Sequence, residues 1–295
     1  MRFFHRACCA TALVCPLLLS GCVSLIPIRR HLPIPKAPTQ VQTVTADELV
    51  NRLNQRWETV KTLTATVEIQ ATVYKTAQGQ GTDYPSCRGF ILMRKPNMLR
   101  VMGTYFGKHI FDMASDGNRF KLVMPVQNQV IQGSNTVTAK SDNQWENMRP
   151  DFFWDALTVR GLDADNEFMV ASDSEMIEDV QKKHLFAEPE YILSVMRPKA
   201  GHEKLPVRVV TFHRDDLLPY EQSIYDGEGN LETQIFYSNY TDYSSEKYPS
   251  LITIKRPQEG IQLVLSVEKV EENVELPDGQ FDVKVPDGAK IKDLM

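Results

Sequence analysis

Apolar and polar residues change their period along this chain. Over residues 45–60, Leu49, Leu53, Trp57 and Val60 recur at three- and four-residue steps, with Asn51, Arg52, Asn54 and Glu58 off that stripe. That spacing predicts an amphipathic helix, with Trp57 packing into a core. Thr45 and Glu48 stand at capping-box spacing at its start. From Leu63 the period becomes two. Leu63, Ala65, Val67, Ile69, Ala71 and Val73 alternate with Thr64, Thr66, Glu68, Gln70, Thr72 and Tyr74, the signature of a half-buried strand.

More strands are predicted at about 84–94, 98–105, 108–115, 118–124 and 127–132. The turns Lys95-Pro96-Asn97, Phe106-Gly107 and Asp116-Gly117-Asn118 are short enough for hairpins. The first half therefore reads as a meander of antiparallel neighbours. Pro150 followed by Asp151-Phe152-Phe153-Trp154-Asp155-Ala156-Leu157 predicts a short helix with proline in its first turn. Strands resume at about 166–172, 190–197, 206–214, 219–226, 230–240, 250–256 and 260–270. The expected fold is mainly β, a single curved antiparallel sheet with few helices.

The first apolar run, residues 10–22, follows a basic start with Arg2 and Arg6 and no acid. It is too short to span a bilayer comfortably and ends in small residues, as a secretory signal does. Its ending, Leu19-Ser20-Gly21-Cys22, resembles the bacterial lipobox, which implies cleavage before Cys22 and lipidation of its thiol. The domains then read as a signal peptide over 1–21, a proline-rich tether over 22–44 and one folded domain over 45–295. Pro27, Pro33, Pro35 and Pro38 punctuate the tether and favour an extended chain. By resemblance to the lipoprotein sorting rule, Val23 and Ser24 with no aspartate after the cysteine favour the outer membrane.

Removing Arg2 and Arg6 with the signal takes the net charge from −5 to −7, a poor balance for binding nucleic acid. Cys8, Cys9 and Cys15 leave with the signal and Cys22 is lipidated, so only Cys87 remains and no internal disulfide is expected. The six histidines show no metal-ligand spacing, and there is no GxSxG serine and no glycine-rich phosphate loop between a strand and a helix. The expectation is a protein without catalytic residues, metal or cofactor.

Several stretches together resemble the Lol family of lipoprotein-handling proteins, its LolA-like carriers and LolB-like receptors. Residues 89–101 place a strand ending in Arg94-Lys95-Pro96 before a strand opening with Leu99-Arg100. Residues 111–118 resemble the next hairpin, Tyr240-Thr241-Asp242-Tyr243 with residues 248–254 the final sheet strands, and residues 281–288 the closing segment. The similarity covers most of 45–290 and leaves 134–190 without a counterpart. It implies an unclosed β half-barrel with helices as a lid over an apolar cavity, which receives acyl chains. Parity along the strands then gives candidate lining residues: Val67, Ile69, Leu92, Leu99, Phe111, Met113, Phe120, Leu122, Val209, Ile235 and Leu263. A solid core under the helices is the alternative for the same residues.

In the receptors, the turn between the third and fourth strands carries an apolar residue before glycine that helps pass cargo to the membrane. The matching turn here is Thr104-Tyr105-Phe106-Gly107-Lys108, which makes Tyr105 and Phe106 a candidate membrane or cargo tip. The resemblance implies a protein anchored by acyl chains in the bacterial envelope, on the outer membrane and facing the periplasm. Its ligand would be an acylated lipoprotein or a lipid, and its partner a periplasmic carrier protein. A second reading is a non-enzymatic envelope sensor or assembly lipoprotein that binds a protein partner on the same fold. An open hollow favours the first, a filled core the second.

Overall fold

The computed structural model describes residues 41–75, 80–135, 148–163, 165, 167–179, 184–243 and 246–294. The stretch expected to be a signal peptide, Cys22 and most of the expected tether lie outside the described residues. Helix α1, Ala46–Thr59, begins with the expected capping box: Glu48 N–H donates to Thr45 Oγ1 at 3.2 Å, and Thr45 N–H donates to Glu48 Oε2 at 2.7 Å. Among the described residues fifteen strands follow, in chain order β1 Thr62–Lys75, β2 Gln80–Asp83, β3 Cys87–Arg94, β4 Met98–Tyr105, β5 Lys108–Ser115, β6 Arg119–Met124 and β7 Gln129–Ser134. After helix α2, Pro150–Leu157, come β8 Phe168–Asp179, β9 His184–Pro198, β10 Lys204–His213, β11 Pro219–Tyr225, β12 Leu231–Tyr243, β13 Glu246–Arg256, β14 Ile261–Glu272 and β15 Lys290–Leu294. No described helix is long and apolar enough to cross a membrane.

All the strands join one unclosed sheet. Its order is β15-β7-β6-β5-β4-β3-β1-β14-β13-β12-β11-β10-β9-β8, with β2 paired on β1. Two antiparallel meanders meet on β1, which pairs with β3 on one side and β14 on the other. Its alternation decides the two faces: Leu63, Ala65, Val67, Ile69 and Val73 are all buried. Register shifts at Thr66/Val67, Gly103/Thr104 and Pro206/Arg208 mark bulges, which bend and twist a sheet this wide.

Three sequence expectations are corrected here. The sheet is not wholly antiparallel, because β15 pairs with β7 in parallel. The strand expected at 84–94 begins only at Cys87, after Tyr84-Pro85-Ser86, and a short strand not expected from the sequence, β2, precedes it; proline has no N–H to give the ladder. Leu92 and Val209 do not point inward. On β3 the buried positions are Cys87, Gly89, Ile91 and Met93, so Leu92 faces the other way. On β10 the bulge at Pro206/Arg208 shifts the phase by one, and Val210, not Val209, joins Phe212 inside. A one-residue slip turns every side chain over.

The two helices do different jobs. Leu49 and Leu53 of α1 pack on Leu193, Val195, Val210 and Phe212, so α1 covers the β9–β10 side. Arg56 donates to both carboxylate oxygens of Glu272 on β14 and fixes the helix end. Helix α2 instead fills the middle of the concave face, with Phe152, Phe153, Trp154, Ala156 and Leu157 all buried. Three side chains from the sheet hold its C-terminal carbonyls: Gln222 Nε2 donates to Asp155 O at 2.9 Å, Tyr248 Oη to Leu157 O at 2.9 Å and Tyr237 Oη to Asp155 O at 3.4 Å. This satisfies acceptors that a helix leaves open at its end.

Candidate functional site

One side of α2 leaves an apolar cavity of about 380 Å³, inside the range of about 300–1,000 Å³ usual for ligand sites. Its floor is the first meander: Ile69 and Ala71 from β1, Cys87 from β3, Ile110 and Phe111 from β5, Leu122 and Met124 from β6. Leu263 of β14, Phe153 of α2 and Met148 close it, and Tyr84, Pro85, Tyr105, Gln127 and Gln129 stand at its mouth. Of the lining residues expected from parity, the structure brings Ile69, Phe111, Leu122 and Leu263 to this cavity. Val67, Leu99, Met113, Phe120 and Ile235 also face inward, but into the packed core around α2.

Two glycines make the space. Gly89 and Gly103 are cross-strand partners on β3 and β4, and Gly103 also faces Phe111 on β5. A Cβ on Gly89 would lie 2.5 Å from Ile69 Cδ1, and one on Gly103 would lie 2.2 Å from the Phe111 ring. Without side chains there, the large residues of β1 and β5 lie across the sheet. Parity reasoning overlooked this pair because it scores side chains, and glycine has none. It also overlooked Phe153 and Met148, whose sequence context gives no hint of what they pack against.

The cavity holds no charged side chain among its described lining. Its one thiol, Cys87, is pushed up from 9.0 to about 11 by burial and by the Glu68 carboxylate, so it is a neutral apolar wall at neutral pH rather than a nucleophile. Among the described residues no group of three or more His, Cys, Asp or Glu is placed to hold a metal ion.

Tyr105 at the mouth leads into the β4–β5 turn. The β4–β5 turn has Phe106 at φ 46° and Gly107 at φ 75°, the two positive angles that a tight hairpin of this twist demands. A left-handed phenylalanine costs roughly 1–3 kcal/mol. Its ring is 89% exposed and stacks edge-on against Tyr105, centroids 4.5 Å apart. The β6–β7 turn, at the same end of the sheet, presents Val126 at 72% exposure. Tyr74 and Tyr84 add exposed rings where β1 meets β2. Thus four segments at this end of the sheet present apolar groups to solvent, and two of them, at Tyr84 and Tyr105, reach the cavity lining.

No family model matches the sequence, and no curated protein matches it. Solved structures do match in fold. A domain from Vibrio parahaemolyticus, described as an outer membrane lipoprotein-sorting protein, aligns with 80% of this chain and 95% of its own at 13% identity and a TM-score of 0.50. A DUF1329 family protein from Desulfovibrio piger gives the same coverages and TM-score at 15% identity. A LolA superfamily protein from Nitrosomonas europaea aligns over 82% of this chain and 99% of its own, at 17% identity and a TM-score of 0.49. At these identities the likeness is one of fold: a mainly β, unclosed sheet of the kind seen in the Vibrio parahaemolyticus and Desulfovibrio piger proteins.

Proposed function

We propose that this protein is a lipid-anchored envelope protein that takes acyl chains of a lipoprotein, or of a lipid, into the cavity between β1, β5, β6 and α2. One observation carries the reading. An uncharged, apolar cavity opens beside a phenylalanine that is both exposed and held at a left-handed angle. Neither cost serves the fold. A buried phenylalanine is worth about 1.5–3 kcal/mol more than an exposed one, and asparagine would suit the turn better. A greasy surface that receives Phe106 offsets both. In this reading Tyr105 and Phe106 touch a membrane or the cargo while the chains pass inward.

The anchor in this proposal is Cys22, and the site of action is the outer membrane facing the periplasm, supplied by a periplasmic carrier protein. The lipobox supports the first and the residues after it the second.

A second reading, a sensor or assembly protein with a protein partner, is favoured by α2. Phe152, Phe153 and Trp154 fill much of the concave face that an empty carrier would leave open. Uptake of a fluorescent fatty-acyl probe by the folded protein separates the two. Saturable uptake at one site per chain, lost when Leu122 is changed to glutamate in a variant that still folds, supports the carrier. No uptake by well-folded wild-type protein favours the sensor.

A further inference from the structure

A second hollow, of about 620 Å³, lies beneath α1 at the opposite end of the sheet from Phe106. Its walls include Trp57, Phe212, Leu218, Tyr240 and Tyr248, and the acyl site uses none of them. The first described residues of the chain run to its edge. Val44 N–H donates to Tyr191 Oη on β9 at 3.2 Å. Two residues earlier, Gln42 N–H donates to Arg214 O at 2.7 Å, and Gln42 Nε2 to Asp215 O at 2.8 Å. Arg214 Nη2 donates back to Thr43 Oγ1 at 3.3 Å. Followed from Val44 to Gln42, the chain crosses from β9 onto the β10–β11 turn. The next residues of that turn, Asp216, Leu217 and Leu218, are walls of the hollow. The clamp therefore holds the first described residues beside the turn whose next residues wall the hollow.

The segment before Val41 includes Leu32-Pro33-Ile34-Pro35-Lys36-Ala37-Pro38. Proline removes much of the conformational entropy that binding would otherwise cost, and aromatic-lined grooves take such stretches. Leu32 and Ile34 supply the apolar side chains. From Val41 back to Ile34, a chain reaches at most ~25 Å, enough to enter a hollow whose wall begins beside Asp215.

We propose that the hollow beneath α1 is the docking groove for the chain's own proline-rich segment, residues 32–35. The inference stands apart from the acyl site and from lipidation. Docking shortens the free length of the segment that leads to Cys22, so it sets how far the domain stands from whatever holds that cysteine.

The test places a photo-crosslinking benzoylphenylalanine at Lys36 of the full chain and maps the adducts by mass spectrometry. Asp173 is the control, because it lies 3.8 Å from Arg214 on the other side of the clamp and is within the same reach. Adducts on residues 216–219 and 240–248 at least tenfold over those around Asp173 are expected. Changing Leu32 and Ile34 together to aspartate, outside the folded core, abolishes that preference. Even labelling of both sides, or a preference that survives the double change, overturns the proposal. Covalent dimers through the same residues would assign the groove to a second copy. Saturable labelling of the groove by a photoactivatable acyl probe, undiminished by the intact segment, would assign it to a lipid. Either result overturns the proposal too.

Discussion

Gly103 on β4 faces Phe111 on β5, and the space a Cβ would need is already filled by the Phe111 ring. The glycine is therefore a cavity-forming residue, although it contributes no surface to the cavity. Gly103→Val must push the ring toward Leu122 or out of its rotamer. The expected cost is about 1–3 kcal/mol, the usual range for overpacking. Chemical denaturation checks the stability. The same variant should also take up less acyl probe while folded, whereas Gly107→Ala, in a turn where a Cβ meets nothing within 4 Å, should leave uptake unchanged and cost only its backbone strain.

Cys87 predicts a specific pH dependence. Its folded pKa, about 11, is raised above the ordinary 9.0 by burial. The thiol's contribution is fully present below pH 9 and is lost as pH rises through 11, because the unfolded state sheds its proton first. A two-unit gap corresponds to at most about 2–3 kcal/mol. Other groups titrate in that window, so the measurement is a difference: the stability of wild type minus that of Cys87→Ala should fall between pH 9 and 11 and stay flat from 6 to 8. A flat difference throughout would show the thiol to be solvated.

Much of this fold is legible in the sequence, for reasons that differ by element. Strands β4 and β5 fall at the expected 98–105 and 108–115 because Phe106-Gly107 admits only a tight turn between them. The short helix at 150–157 is found where Pro150 opens an apolar run. Its place in the middle of the concave face is not legible, since local pattern does not say what an apolar helix packs on. Strand β15 was invisible for a related reason. Lys290, Ile291, Lys292 and Asp293 are all exposed, and the strand is held by parallel backbone pairing with a segment some 160 residues away. The site divides the same way. Phase on β1, β5 and β6 brought Ile69, Phe111 and Leu122 to the cavity, while bulges, absent from any periodicity, misplaced Val209.

The hold on α2 tests how the concave face opens. Tyr248 is buried and gives its hydroxyl to Leu157 O. Tyr248→Phe leaves that carbonyl short of a donor, a loss of about 1–2 kcal/mol. If movement of α2 limits uptake, the variant should load acyl probe faster than wild type in stopped-flow fluorescence. Unchanged loading with lowered stability would mean that chains enter at the mouth without disturbing the helix.

The lipobox reading makes Cys22 a single point of attachment. Cys22→Ser should abolish incorporation of labelled palmitate and move the protein out of the membrane fraction. Retention of label with continued membrane fractionation would defeat it.

The tip at Phe106 gives the sharpest separation of fold from function. Its left-handed angle and exposure mean that the native turn is not the most stable one available. Asparagine tolerates that angle and, followed by glycine, is a favoured pair for a two-residue hairpin. Phe106→Asn should therefore raise stability, by up to about 1 kcal/mol, or leave it unchanged, and the hairpin should keep its register through the Tyr105–Lys108 pair. If the ring serves contact with a membrane, the same variant should bind vesicles of envelope lipids less tightly and transfer acyl cargo to them more slowly. Uptake from solution should persist, because the cavity lining is intact. Phe106→Leu should restore contact while keeping most of the strain. A loss of stability in Phe106→Asn, with vesicle binding unchanged, would show that the ring packs on its own sheet and would remove the main support for a membrane tip.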